Sequence, residues 1–269
     1  MPASRLPGRT KGDTVGRLEG KVAIVSGAGR GVGRGVAVAL AKEGAAVSIA
    51  ELHPESGPEA AAELRMLGAR SLSVECDVSQ RSAVEAAVAA TVAEFGTVDI
   101  LVNNAQYLDR IDMPFEDLSE ADMRRQFDSG VIGTFSFMQA CFPHLRHGGG
   151  KVVNMASGAG VFGMEHFASY AAAKEAIRGM SRVAAREWGR YGINVNIICP
   201  SVPSPAVLDW MSRQTPDSPV AGQMPAIPRA GEAEADVGRV AVFLASADSD
   251  YMTGHTLMVD GGSTMDAGR

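Results

Sequence analysis

The segment Ser26-Gly27-Ala28-Gly29-Arg30-Gly31-Val32-Gly33 constrains this chain more than any other. It stands between an apolar, β-branched run, Val22–Ser26, and a stretch of helical composition over 33–43 that stops at Gly44. Glycines in such a link permit a tight turn and let a ligand approach the backbone without meeting a Cβ. Several N–H groups then point at one spot beside the positive end of a helix dipole, an arrangement that receives a pyrophosphate. A glycine-rich turn of purely structural purpose is the competing reading, and the strand-then-helix setting argues against it. Glu51 ends the next strand, about twenty residues beyond the turn, where a carboxylate accepts both hydroxyls of an adenosine ribose and repels a 2′-phosphate. A solvent-facing strand-end acid is the plain alternative. Arg30 pulls the other way, since a guanidinium there would welcome that phosphate. Glu51 acts on the ribose directly, so NAD is the expected cofactor.

The pattern continues past Glu51. Strands are expected over 46–50, 71–75, 100–103, 151–155, 194–198 and 256–259, with helices over 59–67, 168–191 and 234–246. Ser79 is expected to cap a helix running to Phe95, and Ser119 with Asp122 forms a capping-box spacing at the start of another. Runs apolar on both faces, alternating with helices, imply a doubly wound α/β domain whose sheet is mostly or wholly parallel and covered on both sides. The expected organisation is a flexible arm over 1–17 and a Rossmann-type domain over 18–269. Pro200, Pro203, Pro205, Pro216, Pro219, Pro225 and Pro228 mark a long irregular stretch over 200–230, read as a substrate lid.

Charge and cysteine usage exclude other classes. A net charge of −6 offers no basic face to nucleic acid or to an anionic membrane. No run is long and apolar enough to span a bilayer. Cys76, Cys141 and Cys199 are far apart and odd in number, which suits reduced thiols in the cytoplasm rather than a disulfide framework or a metal site.

From about Leu18 to Met265 the chain resembles the short-chain dehydrogenase/reductase family. The 26–33 turn is similar to that family's TGxxxGxG, with serine for threonine. Asp77-Val78 resembles its adenine-contacting pair, Asn103-Asn104-Ala105 its NNAG (Gln106 replacing the glycine), and Val259-Asp260-Gly261-Gly262 its VDGG. Tyr170-Ala171-Ala172-Ala173-Lys174 resembles YxxxK, and Ser157 lies thirteen residues before the tyrosine. The i, i+4 spacing puts phenol and ammonium on one helix face. The resemblance implies that Tyr170 exchanges a proton with the substrate oxygen, and that Lys174 lowers the phenol's pKa and holds the nicotinamide ribose. It implies that Ser157 hydrogen-bonds the substrate oxygen. The cofactor set it implies is Gly27, Arg30, Gly31, Val32, Gly33, Glu51, Asp77, Val78, Asn103, Ala105, Tyr170, Lys174, Pro200, Val202 and Pro203.

Two positions depart from the family. An asparagine that supports a relay water there is Gly130 here, three positions before Gly133. The family's PGxVxT reads Pro200-Ser201-Val202-Pro203-Ser204-Pro205, so an N–H and a hydroxyl are missing from the nicotinamide's neighbourhood. Phe162, Met164, His166 and Phe167, with Val202, Leu208, Trp210, Met211 and Met224 of the lid, suit an apolar or cyclic alcohol or ketone, or else simply pack the lid. The resemblance also implies a homotetramer or homodimer built on helices around 130–143 and 168–191. The expected function is NAD(H)-dependent interconversion of a secondary alcohol and a ketone. A non-redox lyase, isomerase or dehalogenase, or a nucleotide-binding sensor, are the alternatives.

Overall fold

A computed structural model describes residues 16–203 and 225–265. Seven strands form one sheet: β1 (Val22–Ser26), β2 (Ala46–Glu51), β3 (Ser71–Glu75), β4 (Ile100–Asn103), β5 (Lys151–Met155), β6 (Asn194–Pro200) and β7 (Thr256–Val259). Their order is β3-β2-β1-β4-β5-β6-β7, and every neighbouring pair is parallel. The helices are α1 (Gly31–Lys42), α2 (Ser56–Met66), α3 (Arg81–Phe95), α4 (Glu120–Gln126), α5 (Gly133–Leu145), α6 (Gly158–Phe162), α7 (Ala168–Trp188) and α8 (Arg239–Ala245).

Alternate strand side chains feed two cores. Ala23, Val25, Val47, Ile49, Val102 and Val153 pack with α1, α2 and α8 on one face. Ile24, Leu101, Val152 and Val195 pack with α3, α5 and α7 on the other. Burial on both faces is why these strands are apolar throughout rather than alternating with polar residues. Because β1 lies between β2 and β4, the winding direction reverses there, which opens a crevice at the carboxyl ends of the strands.

Where element boundaries differ from expectation, local hydrogen bonding gives the reason. Ser79 does not cap α3: its N–H and its hydroxyl both donate to Asp77 Oδ1, at 2.9 and 2.7 Å, and the helix starts at Arg81. Ser119 does cap α4, accepting from Asp122 N at 3.1 Å while Asp122 Oδ2 accepts from Ser119 N at 3.4 Å. The helix expected over 234–246 opens as a π turn, Ala233–Gly238, before α8. Glycines bring that turn against α1, since a Cβ on Gly238 would stand 2.6 Å from Ala39 Cβ. A second π turn, Phe127–Ile132, joins α4 to α5. Gly16 and Arg17, counted with the arm, are held to the body, Arg17 by Glu43 and Asp248. The remainder of the arm and most of the 200–230 segment lie outside the described residues. No helix among the described residues is long and apolar enough to cross a membrane.

A buried polar chain ties the two central strands to α7. Asn103 Nδ2 donates to Asn154 Oδ1 and Asn154 Nδ2 to Ser181 Oγ, both at 2.8 Å, and Ser181 Oγ donates to Ile177 O. Asn154→Leu leaves the Asn103 amide unpaired, so unfolding by denaturant should show a loss of about 1–3 kcal/mol.

Candidate active site

Parallel strands bring the expected site residues to one edge of the sheet, where β1 to β6 deliver the 26–33 turn, Glu51, Asp77, Asn103, Ser157 and Pro200 in sequence. The glycine turn is latched from β4. Ser26 Oγ accepts from Asn104 N and Ala105 N at 3.0 and 3.1 Å, while Asn104 Nδ2 donates to Ser26 O and Gly27 O at 3.1 and 3.0 Å. Gly27 has φ +63°, and a Cβ there would stand 2.8 Å from Ala105 Cα. Arg30 takes the cap position of α1 but makes no side-chain cap, so the helix's opening N–H groups receive no bond from it. Val32 packs inward against the core, and Gly33 sits over Gly27 O, where a Cβ would overlap.

Glu51 is buried and folded back onto this turn. Its Oε2 accepts from Gly29 N at 2.8 Å and its Oε1 from His53 N at 3.1 Å. Beside it the Ser56 hydroxyl is buried with no partner, an orphaned polar atom in a cradle where a Cβ on Gly29 would stand 2.8 Å from Glu51 Oε2. These are the features of a pocket built for a polar, hydroxyl-bearing ligand, and an adenosine ribose with its pyrophosphate fits the donors and acceptors present. Asp77 spends Oδ1 on Ser79, and Val78 is buried against Gly133. Asn103 Oδ1 is a second orphaned acceptor.

The reacting set stands at the ends of β5 and α7. Ser157 caps α6, accepting from Ala159 N at 3.1 Å, and faces the Tyr170 phenol. Burial pushes that phenol above its ordinary value, the Ser157 hydroxyl opposes the shift, and Cys199 adds a smaller upward push. Lys174 is buried, and loss of hydration brings its ammonium down to about 8. Its Nζ donates to Met155 O at 3.0 Å and lies 5.4 Å from the centre of the Tyr170 ring. The phenol's shift is set chiefly by burial in the protein's own residues. Cys199, read from sequence only as a buried thiol, lies under this pair and is itself pushed up to about 11, chiefly by burial, so it stays neutral.

Ser56 had no signal in the sequence; Asn104 and Gln106 stood out only as members of the NNAG-like motif, and neither the Asn104 latch nor the Gln106 side chain lying across Gly130 was foreseen. On the substrate side Phe162 and Met164 are exposed beside α7. His166 has φ +68°, and its Nδ1 meets Asp112 Oδ1 at 3.3 Å. Val202 packs against the core, and Pro203 follows it. Leu208, Trp210, Met211 and Met224 lie outside the described residues. A polar groove lined by Lys151, Asn194 and Asp250 sits at the opposite, amino end of the strands, away from every residue of this set.

Comparison with known proteins places this geometry. A family model described as "Enoyl-(Acyl carrier protein) reductase" matches residues 27–264. A 12α-hydroxysteroid dehydrogenase of a Clostridium species is 40% identical over 257 residues, covering 92% of this chain and 98% of that protein. A D-threitol dehydrogenase of Mycolicibacterium smegmatis is 38% identical over 252 residues, covering 93% of this chain and 95% of its own. The crystal structure of carveol dehydrogenase from Mycobacterium avium in complex with NAD superposes with a TM-score of 0.83 at 31% identity, covering 92% of this chain and 99% of that one.

Proposed function

The chain belongs to the short-chain dehydrogenase/reductase family and is an NAD-dependent alcohol dehydrogenase; we propose that it interconverts a secondary alcohol and a ketone on an apolar or cyclic substrate, with Tyr170 as general acid/base. One observation carries the reading: Ser157 faces the Tyr170 phenol while the Lys174 ammonium, fixed by Met155 O, stands over the same ring.

NAD⁺, when bound, supplies a hydride acceptor and a positive ring. The N–H groups of Gly31, Val32 and Gly33 receive the pyrophosphate, with Gly27 clearing the approach and Arg30 flanking it. Glu51 holds the adenosine ribose, Asp77 and Val78 the adenine, and Asn103 and Ala105 the segment beyond. Lys174 and Tyr170 hold the nicotinamide ribose, and Pro200, Val202 and Pro203 border the nicotinamide. In oxidation the Tyr170 phenolate would take the proton of the alcohol and Ser157 would donate to the substrate oxygen, while bound NAD⁺ would accept the hydride from the carbon. Reduction runs these transfers in reverse.

The exposed apolar side chains of Phe162 and Met164, in the segment leading into α7, support an apolar substrate. The steroid and carveol substrates named for two of the relatives are cyclic, whereas threitol is an open-chain polyol. Exposed Ile132, Phe135 and Val183, on the second π turn, α5 and α7, support self-association through those helices as a homotetramer or homodimer. Three buried, unpaired thiols support a reducing, cytoplasmic setting. Assay with NAD⁺ and matched panels of cyclic alcohols and linear polyols, followed by reduced-nicotinamide absorbance, tests the proposal. Higher kcat/KM on the cyclic panel is expected; faster turnover of the polyols would overturn the substrate class.

A further inference from the structure

Two loops meet at the start of α7. One is the stretch 107–114 after β4; the other is 163–167, which carries the chain from α6 into α7 and so lies between Ser157 and Tyr170. Met113 N donates to His166 O at 2.8 Å and joins them. The next residue, Phe167, accepts from Ala171 N at 2.7 Å, and its ring stands edge to face with Tyr170, centroids 6.2 Å apart. His166 is thus tied to the first loop and placed one residue from a ring that packs on the reacting phenol.

Among the described residues, the two non-glycines with φ in the left-handed region both fall in these loops, Arg110 at +54° and His166 at +68°. A Cβ disfavours that backbone and glycine would relieve it, so it is retained where the side chain itself is needed. For Arg110 the need is visible, since its Nε donates to the buried Asp122 carboxylate at 3.1 Å. His166 has no such structural reason. Its side chain is exposed, and its Nδ1 lies 3.3 Å from Oδ1 of Asp112, which is exposed too. A pair of that kind adds little to stability.

The pair's chemistry defines what it can hold. The Asp112 carboxylate favours a proton on Nδ1, which leaves Nε2, across the ring, as a bare acceptor. Asp109, Asp112 and Glu165 are exposed in the same two loops, while Arg110 is engaged by Asp122. That field opposes a carboxylate or phosphate ligand. Leu108 and Met164, apolar and exposed in these loops, would make an ammonium costly to dehydrate. A neutral hydroxyl on an otherwise apolar body satisfies all three conditions.

We propose that His166, oriented by Asp112, is a specificity-determining residue whose Nε2 accepts a hydrogen bond from a second hydroxyl of the substrate, so that a cyclic diol is preferred to a cyclic alcohol with one hydroxyl. The inference rests on the dehydrogenase reading above and narrows its substrate class.

The probes are trans-cyclohexane-1,4-diol and trans-4-methylcyclohexanol, which differ only in the group remote from the reacting carbinol. With NAD⁺, wild-type kcat/KM should favour the diol about tenfold, the size of one net hydrogen bond. His166→Ala should bring that ratio down towards the roughly twofold advantage of two equivalent carbinols, through KM for the diol rather than kcat. Asp112→Ala, which leaves the ring unoriented, should bring it part of the way. An unchanged ratio in His166→Ala, or equal losses on both alcohols, would overturn the role. His166→Gly accepts the left-handed backbone freely, so its melting temperature should hold within about 2 °C while the preference disappears; a fall several times larger would show that the histidine is kept for the fold and overturn the proposal. Saturation-transfer NMR needs no turnover, and there His166→Ala should weaken the signal of the diol more than that of the methyl analogue. If the wild-type chain oxidises no alcohol, the dehydrogenase reading fails, and the NMR comparison still decides whether His166 holds the second hydroxyl.

Discussion

Tyr170→Phe should abolish most turnover, by about 10²–10⁴-fold in kcat, while NAD⁺ affinity measured by calorimetry stays within a few-fold of wild type. In the proposed mechanism the phenol oxygen gives and takes the proton, whereas the glycine turn and Glu51 are the proposed grip on the cofactor. Burial makes the wild-type pH profile informative. In the oxidation direction the phenolate is the active form, so kcat falls as pH drops through the phenol's pKa. Because burial raises that pKa and Ser157 offsets it only in part, the acid limb should lie toward high pH. Lys174, brought down to about 8 by loss of hydration, has lost its ammonium before pH reaches that limb, so Lys174→Ala should leave the position of the limb nearly unchanged. A Tyr170→Phe variant with wild-type kcat would remove the phenol from the mechanism.

The second large effect is expected at Glu51. Wild-type kcat/KM should favour NAD⁺ over NADP⁺ at least tenfold, a difference of about 1.4 kcal/mol or more, because a carboxylate at the ribose opposes a 2′-phosphate. Glu51→Ala should shrink that ratio toward unity. It should also cost stability, since the buried N–H of Gly29 and the N–H of His53 lose their acceptor, at about 1–3 kcal/mol for a buried unpaired donor. Glu51→Gln separates the two roles: it retains an acceptor for the turn but loses the charge, so discrimination should fall while the melting temperature holds better than in Glu51→Ala. Equal use of both cofactors by the wild type would assign the choice to Arg30 instead.

The central strands were legible because burial on both faces leaves mostly Val, Ile, Leu and Ala to read, whereas the half-buried edge strand β3 alternates serine with Leu and Val; β1, β3, β4, β5 and β7 begin and end where composition places them. Ser79 was misread because its hydroxyl finds Asp77 closer than any helix N–H, a competition between local partners that spacing alone does not reveal. The two π turns carry no periodic signal. One is set by glycine packing on α1, the other by the loop after β4, which docks on it through Gln106 and Tyr107. In the site, residues that belong to short motifs were visible. Ser56 beside Glu51 was not, and Gln106 was visible only as a departure from a motif and not as the neighbour of Gly130, because the contact and not the residue type carries the meaning.

The latch between Ser26 and Asn104 also sets a timetable for synthesis. β1 pairs with β2 within the first stretch of chain, Val22 opposite Ala46, but its other flank waits for Ala23 to meet Ile100. Until Asn104 and Ala105 have emerged, the turn is held only from the β2 side, by Ala50 and Glu51, and Ser26 Oγ lacks the donors that latch it from β4. Pairings this far apart in sequence make for slow folding. A growing chain therefore gains a nucleotide-binding half first and its chemistry later, as Ser157, Tyr170 and Lys174 follow. The final strand closes the edge when Val259 O accepts from Ser201 N at 2.9 Å. A dinucleotide present during synthesis would stabilise the early half by mass action before any hydride could move.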